Sequence, residues 1–310
     1  MTYADKCFIE SAEAILNSPF SDKGMPVRPH WHDGTPAHTR KIFCDRHDYV
    51  LDPKDPNYEF PMMTLRRTYW KTALQEILWI YRQKSNVIAD LQSKIWDDWN
   101  VGDGTIGKAY GYQIAQAAKH HRIKDEDLSM YPSAYAKDGW VYLDQMDAVF
   151  YDLRNSPMSR SIMTSTYNMS DLADMGLRPC AYGMYYNVTQ EEKTGRLLLN
   201  AVLMQRSQDM LTASNWNTVQ YAFLLMLVAR EVGMEPGRLV HIRYDCHIYD
   251  RHEDIVRDMI AKAKSNPNQF AAPIVYIPDA APDFYHFTPN DMIVENYQYD
   301  EFNEDIEVAV

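Results

Sequence analysis

Three consecutive pieces decide the fold class: Tyr182-Gly183-Met184-Tyr185-Tyr186-Asn187-Val188, then Lys193-Thr194-Gly195, then Arg196-Leu197-Leu198-Leu199-Asn200-Ala201-Val202-Leu203-Met204-Gln205. The first piece alternates as a strand does, the middle one is a turn, and the third is strand-like and rich in apolar residues, so a hairpin is predicted. Working outward, residues 162–167 read as another strand and 239–244 as a further one. Residues 219–232 form an apolar helix stopped by Gly233, and 251–264 a second helix. In the first half, 5–17 and 143–154 read as helices. So does 64–84, with Thr64 as its N-cap. Ile42-Phe43 and Tyr49-Val50-Leu51 are short strand candidates, and the polar stretch 119–140 is expected to be a surface insertion. Strands and helices intermix without a βαβ rhythm. The predicted class is α+β, not a doubly wound sheet.

Composition narrows the function. The chain has 310 residues, 46% hydrophobic and 24% charged, with a net charge of −12. That is enough apolar material for a large core, and the acidic balance argues against duplex DNA as a partner. A small anionic substrate needs only a few local arginines and stays open. No run of about 18 apolar residues suggests a membrane span. Met1-Thr2-Tyr3-Ala4-Asp5-Lys6 carries no basic region ahead of an apolar one, so a cytoplasmic protein is expected. Cys7, Cys44, Cys180 and Cys246 lie far apart with no CxxC pair, which disfavours a cysteine-built zinc site and a disulfide scaffold.

Three segments carry chemistry. In Leu177-Arg178-Pro179-Cys180 the thiol is a candidate nucleophile if a neighbouring cation stabilises its thiolate, although a lone cysteine is more often inert packing. Gln205-Arg206-Ser207-Gln208-Asp209 ends an apolar strand in a polar cluster; Arg206 and Ser207 suit a phosphate, or a surface ion pair. In Asp245-Cys246-His247-Ile248-Tyr249-Asp250-Arg251-His252, His247 and Tyr249 share one strand face and can both bind a sugar hydroxyl. His247 with His252 lacks a third metal ligand, and no metal is expected.

Taken together and in order, these segments resemble the thymidylate synthase superfamily, which includes phage pyrimidine-nucleotide hydroxymethylases. The resemblance runs through Asp33-Gly34-Thr35-Pro36-Ala37-His38-Thr39, Glu76-Ile77-Leu78-Trp79, Ile95-Trp96-Asp97-Asp98-Trp99, Ala109-Tyr110-Gly111 and Ser159-Arg160. It continues through Pro179-Cys180, Gln205-Arg206-Ser207 with Asp209, Asn217 with Gln220-Tyr221, and Asp245-Cys246-His247-Ile248-Tyr249. The first of these loops and the Glu-Val-Ala-Val ending look like a phage-type branch.

The resemblance implies one catalytic domain over 1–310, a mixed β-sheet packed with helices, and a homodimer through the sheet. It implies transfer of a one-carbon unit from 5,10-methylenetetrahydrofolate to C5 of dUMP. Cys180 would attack C6, Glu76 relay protons, and Tyr110 sit near the departing C5 proton. Arg206 and Ser207, with Gln205 beside them, would hold the phosphate end, joined by Arg160 across the dimer interface. Asn217 would read the base, and His247 and Tyr249 the 3′-hydroxyl. Ile95, Trp96, Trp99, Leu177, Asp209, Thr212 and Trp216 would line the folate site, with Val310 closing over it.

The departures bear on the product. Ser161 stands where the family has a second phosphate-binding arginine, and either Arg28 or Arg40 must replace its first-loop arginine. Tyr185 replaces a glutamine, and Thr212-Ala213-Ser214-Asn215-Trp216 replaces a more apolar run. A polar wall that admits water to the C5 methylene gives 5-hydroxymethyl-dUMP; a dry one leaves hydride transfer to give dTMP. Asn217 favours uracil as the base, Trp96 and the ending favour dTMP, and Thr212, Trp216 and Tyr185 favour hydroxymethylation. The balance falls narrowly on a dUMP hydroxymethylase, with thymidylate synthase as the alternative and a non-catalytic binding protein a distant third.

Overall fold

The hairpin predicted from 182–205 forms the middle of the sheet. The computed structural model describes residues 1–302 and 306–309. In chain order, helix α1 (Tyr3–Leu16) precedes strand β1 (Thr39–Val50) and helices α2 (Trp70–Tyr81), α3 (Ile88–Leu91) and α4 (Gly111–Ile114). Strands β2 (Ala118–Arg122), β3 (Tyr135–Lys137) and β4 (Trp140–Leu143) make a small antiparallel sheet. Then come α5 (Gln145–Asn155), β5 (Met163–Ser165), β6 (Ala181–Gln190), β7 (Leu197–Gln205) and the short β8 (Gln208–Asp209). Helix α6 (Trp216–Glu231), β9 (Glu235–Tyr249), α7 (Glu253–Ser265) and the pair β10 (Ile274–Tyr276) and β11 (Ile293–Glu295) complete the order.

The main sheet runs β1-β9-β7-β6-β5, with β8 added against β9. β6 and β7 are antiparallel, Ala181 opposite Gln205 and Gln190 opposite Leu197. β7 and β9 are parallel, so α6 is a βαβ crossover in the core. This unit escaped the sequence reading because α6 is buried nearly all round and reads only as an apolar run. The result is the mixed α+β sheet expected.

Period-two alternation sorts the sheet's faces. Along β7, Leu199, Ala201, Leu203 and Gln205 are buried under the helices, while Leu198, Asn200, Val202 and Met204 are half-exposed on the other face. That outer face carries a groove of about 560 Å³ lined by Tyr185, Asn187, Val202, Arg238 and Val240 among others.

Several boundaries move. Ile42-Phe43 and Tyr49-Val50 belong to one long strand that ends before Leu51, because β1 pairs with β9 from Thr39 to Val50. Thr64 is not an N-cap. Its N–H and hydroxyl both donate to Asp5 at 2.7 Å, and α2 starts only at Trp70. Asp5 also closes the capping box of α1 with Thr2. The 119–140 stretch is not irregular throughout, since it contributes most of the small three-stranded sheet, in which Tyr135 and Lys137 are exposed. No helix among the described residues is long and apolar enough to cross a membrane.

Candidate active site

A cavity of about 1040 Å³ opens where β7, β9, α2 and α6 converge. Its lining includes nearly all the residues singled out from the sequence: Glu76, Ile95, Trp96, Trp99, Tyr110, Leu177, Cys180, Gln205, Arg206, Ser207, Asp209, Thr212, Trp216, Asn217, His247 and Tyr249. Each reaches it for a local reason. Cys180 lies immediately before β6, Gln205 ends the buried face of β7, and His247 and Tyr249 share one face near the end of β9. Asn217 and Gln220, one turn apart, face it from the start of α6.

Cys180 donates its backbone N–H to the Tyr110 hydroxyl at 2.9 Å. Burial pushes its thiol up, while Arg206 and Arg28 pull it back down. By sequence, Arg178 is the cation nearest Cys180. Arg178 contributes only its backbone carbonyl, which accepts from Arg206 at 2.6 Å, and Arg28 takes the electrostatic role. Tyr110 is held at φ +44°, a strained value for a side-chain-bearing residue, and burial keeps it a neutral phenol. Gly111 follows because a Cβ there would lie 2.0 Å from the Ser85 carbonyl oxygen.

Glu76 is buried, and burial raises its carboxyl above the usual range. Three donors oppose that: Trp96 Nε1 at 2.8 Å, Trp216 Nε1 at 2.7 Å and Gln220 Nε2 at 2.8 Å. A carboxyl balanced between burial and donors suits proton transfer in both directions. At His247, burial pushes the imidazole down, but Asp245 and Asp209 outweigh it and raise it overall. Its Nδ1 lies 2.8 Å from the Asp245 carbonyl oxygen.

The three residues expected to favour hydroxymethylation are engaged elsewhere. The Thr212 hydroxyl donates to Asp209 at 2.6 Å, and the Trp216 indole to Glu76. Tyr185 lines the outer-face groove, and its hydroxyl donates to the Arg160 carbonyl at 2.8 Å. The Thr212 contact is local to its turn, whereas the tertiary fold sets those of Trp216 and Tyr185. Asp209 also accepts from the N–H groups of Leu211 and Thr212, so besides lining the cavity it shapes the 209–212 turn.

Of the two candidate first-loop arginines, Arg28 lines the cavity, whereas Arg40 is spent on Glu253 and the Ser18 carbonyl. Arg160 is exposed and outside the cavity of its own chain. Val310 lies outside the described residues; Val308 and Ala309 line the cavity. One contributor was missed, and one already quoted had been given no role. Arg66 donates to the Leu211 and Thr212 carbonyls and pins their turn, and Gln220 links Asn217 to Glu76. The spacing Asn217-x-x-Gln220 on a helix was the available signal for the latter. No group of three or more His, Cys, Asp and Glu side chains among the described residues is placed to hold a metal.

The thymidylate synthase family model matches residues 21–310. The thymidylate synthase of Bacillus phage phi3T is 34% identical over 303 residues, covering 96% of each chain, and that of Bacillus subtilis subsp. natto is 35% identical over the same length. The solved structure of thermostable thymidylate synthase A from Bacillus subtilis superposes with a TM-score of 0.80 at 34% identity, covering 99% of each chain. This chain belongs to the thymidylate synthase family.

Proposed function

We propose that the protein is a thymidylate synthase, transferring a one-carbon unit from 5,10-methylenetetrahydrofolate to C5 of dUMP and finishing it as a methyl group. The observation that carries this reading is a thiol, a balanced carboxyl and an amide, Cys180, Glu76 and Asn217, on one cavity where the Thr212 hydroxyl and the Trp216 indole already donate to Asp209 and Glu76. The hydroxymethyl product expected from Thr212, Trp216 and Tyr185 loses its basis there. The relatives named above, all thymidylate synthases, agree with the methyl reading.

In this reading Cys180 Sγ adds to C6, and the C5–C6 electron pair moves toward C5 and O4. The Asn217 amide offers a donor to O4 and an acceptor to N3–H. Glu76 and its hydrogen-bonded neighbours move protons at O4 and at the folate. Tyr110, beside Cys180, flanks the C5 proton that is lost. Arg206, Ser207 and Arg28 hold the phosphate, and His247 and Tyr249 the 3′-hydroxyl. Trp96, Trp99, Ile95 and Leu177 offer flat and apolar surface suited to a folate ring, bounded by Asp209 and the 212–216 turn. Methylenetetrahydrofolate supplies the carbon and the closing hydride. The whole chain acts as one catalytic unit and as a homodimer through the outer sheet face, with Arg160 reaching the neighbouring site.

Incubation with dUMP and methylenetetrahydrofolate tests this. Expected are dTMP, identified by its mass, and dihydrofolate formed in equal amount. A nucleotide heavier by a hydroxymethyl group, with no dihydrofolate, overturns it.

A further inference from the structure

An amide side chain reads a pyrimidine only if something fixes which end is oxygen. Around Asn217 each end already has one partner: Oδ1 accepts from Gln205 Nε2 at 3.2 Å, and Nδ2 donates to Gln220 Oε1 at 3.1 Å. One lone pair and one N–H therefore remain for a ligand. That residue matches N3–H and O4 of uracil, and cytosine reverses both atoms.

Each glutamine is itself oriented. Gln220 Nε2 donates to Glu76 and to the Ala73 carbonyl, both acceptors only, so its oxygen must face Asn217. The two N–H groups of Gln205 Nε2 are shared among three oxygens, the Ser207 carbonyl at 2.9 Å, Gln208 Oε1 at 3.0 Å and Asn217 Oδ1, so its own oxygen faces His241 Nε2, 2.9 Å away. His241 sits on β9, fully buried, with Nδ1 3.1 Å from the Thr218 hydroxyl. Burial holds the ring neutral, assisted by the nearby Arg243. A neutral imidazole has one proton, and only an Nε2–H avoids setting a lone pair against Gln205 Oε1. The Thr218 hydroxyl then donates to Nδ1. Polarity thus runs one way, from Thr218 through His241, Gln205, Asn217 and Gln220 to the Glu76 carboxylate.

We propose that His241 is a specificity-determining positioning residue: its Nε2–H at one end and the Ser207 carbonyl at the other hold the Gln205 amide, which holds Asn217 in the orientation that accepts uracil and rejects cytosine. This rests on the reading that the cavity takes a pyrimidine nucleotide. Nothing in the sequence flags His241, which has neither motif nor exposed position.

The test compares dUMP and dCMP binding and turnover in wild type, His241→Phe and His241→Gln. Phenylalanine fills the space but leaves Gln205 Oε1 buried without a donor, so the dUMP preference is expected to fall about tenfold. Glutamine restores a donor and is expected to recover much of it, which a space-filling role would not produce. Folded His241→Phe with undiminished preference overturns the relay while leaving the functional reading intact. Wild-type protein that binds neither nucleotide overturns the functional reading and the base-selection role with it. Where a variant does not fold, nitrogen NMR of the wild-type imidazole decides: an Nε2-protonated neutral ring supports the proposal, and an Nδ1–H tautomer or a cation at neutral pH overturns it.

Discussion

At Cys180 two opposing forces act on one atom, and burial wins: the thiol is raised, with Arg206 and Arg28 offsetting only part. A raised thiol is mostly protonated at neutral pH, so its thiolate fraction grows as pH rises. Alkylation of half-buried Cys180, followed by peptide mass because Cys44 is exposed, should therefore climb from neutral to about pH 9 without a plateau. Arg206→Met should slow it at fixed pH, and Cys180→Ser should lose adduct and turnover while keeping the fold. Glu76 answers to the same balance. Trp216→Phe removes one N–H donor from its carboxylate, favours the protonated form, and lifts a pKa already raised by burial. A hydrogen bond to a charged group is worth about 1.5–3 kcal/mol, so the acid limb of the kcat profile should move up by about one pH unit or more. An unmoved limb removes Glu76 as the titrating group. That Cys180, Glu76 and Asn217 line one cavity was legible in the sequence because each sits in a short motif of distinctive residue types. The partners of Trp216 and Tyr185 lie 140 and 25 residues away, which no local pattern shows, whereas that of Thr212, Asp209, lies only three residues before it.

Among the elements, those with strong periodicity were readable: α1, α5, α7, and the β6–β7 hairpin all fall within a few residues of their predicted spans. Where the reading failed, a long-range contact displaced a local signal. Thr64 looks like a cap, but Asp5 takes both its donors, joining α1 to the segment before α2. Asp5 is fully buried and accepts from the Thr2 backbone as well. Asp5→Ala should cost about 3 kcal/mol in urea unfolding, combining a lost cap with stranded donors. Substitutions at nearby exposed Glu10 should cost little, and equal losses at both would discount the buried role. Gly111 is a second such point. The Ser85 carbonyl leaves no room for a Cβ, so Gly111→Ala must shift α4. About 1–3 kcal/mol is expected from the overpacking, together with a larger fall in kcat because strained Tyr110 moves with it. Stability loss without that fall would separate Tyr110 from the chemistry.

The molecule as a whole presents one sheet face to the helices and leaves the other uncovered. Half-exposed Val202, Met204, Val240, Ile242 and Tyr244 lie on that second face, as does Tyr185, which holds the backbone of Arg160. Arg160 is exposed and does not reach the cavity of its own chain, so any phosphate contact it makes is with a neighbouring site. In a symmetric dimer that arrangement has a consequence no monomer shares. Cys180→Ser lacks the nucleophile in its own site but still offers Arg160; Arg160→Ala lacks the arginine but keeps the nucleophile. Each homodimer is then defective in both sites. Random exchange of equal amounts makes about half the dimers mixed, and each mixed dimer has one site with both groups and one with neither. About a quarter of the wild-type sites should therefore reappear. The measurement is turnover after mild denaturation and refolding of the mixture, against the two variants treated separately. A mixture no more active than the sum of its parts means Arg160 serves its own chain or serves no site. Recovered activity that disappears when Val202→Arg disrupts the outer face locates the exchange at the sheet.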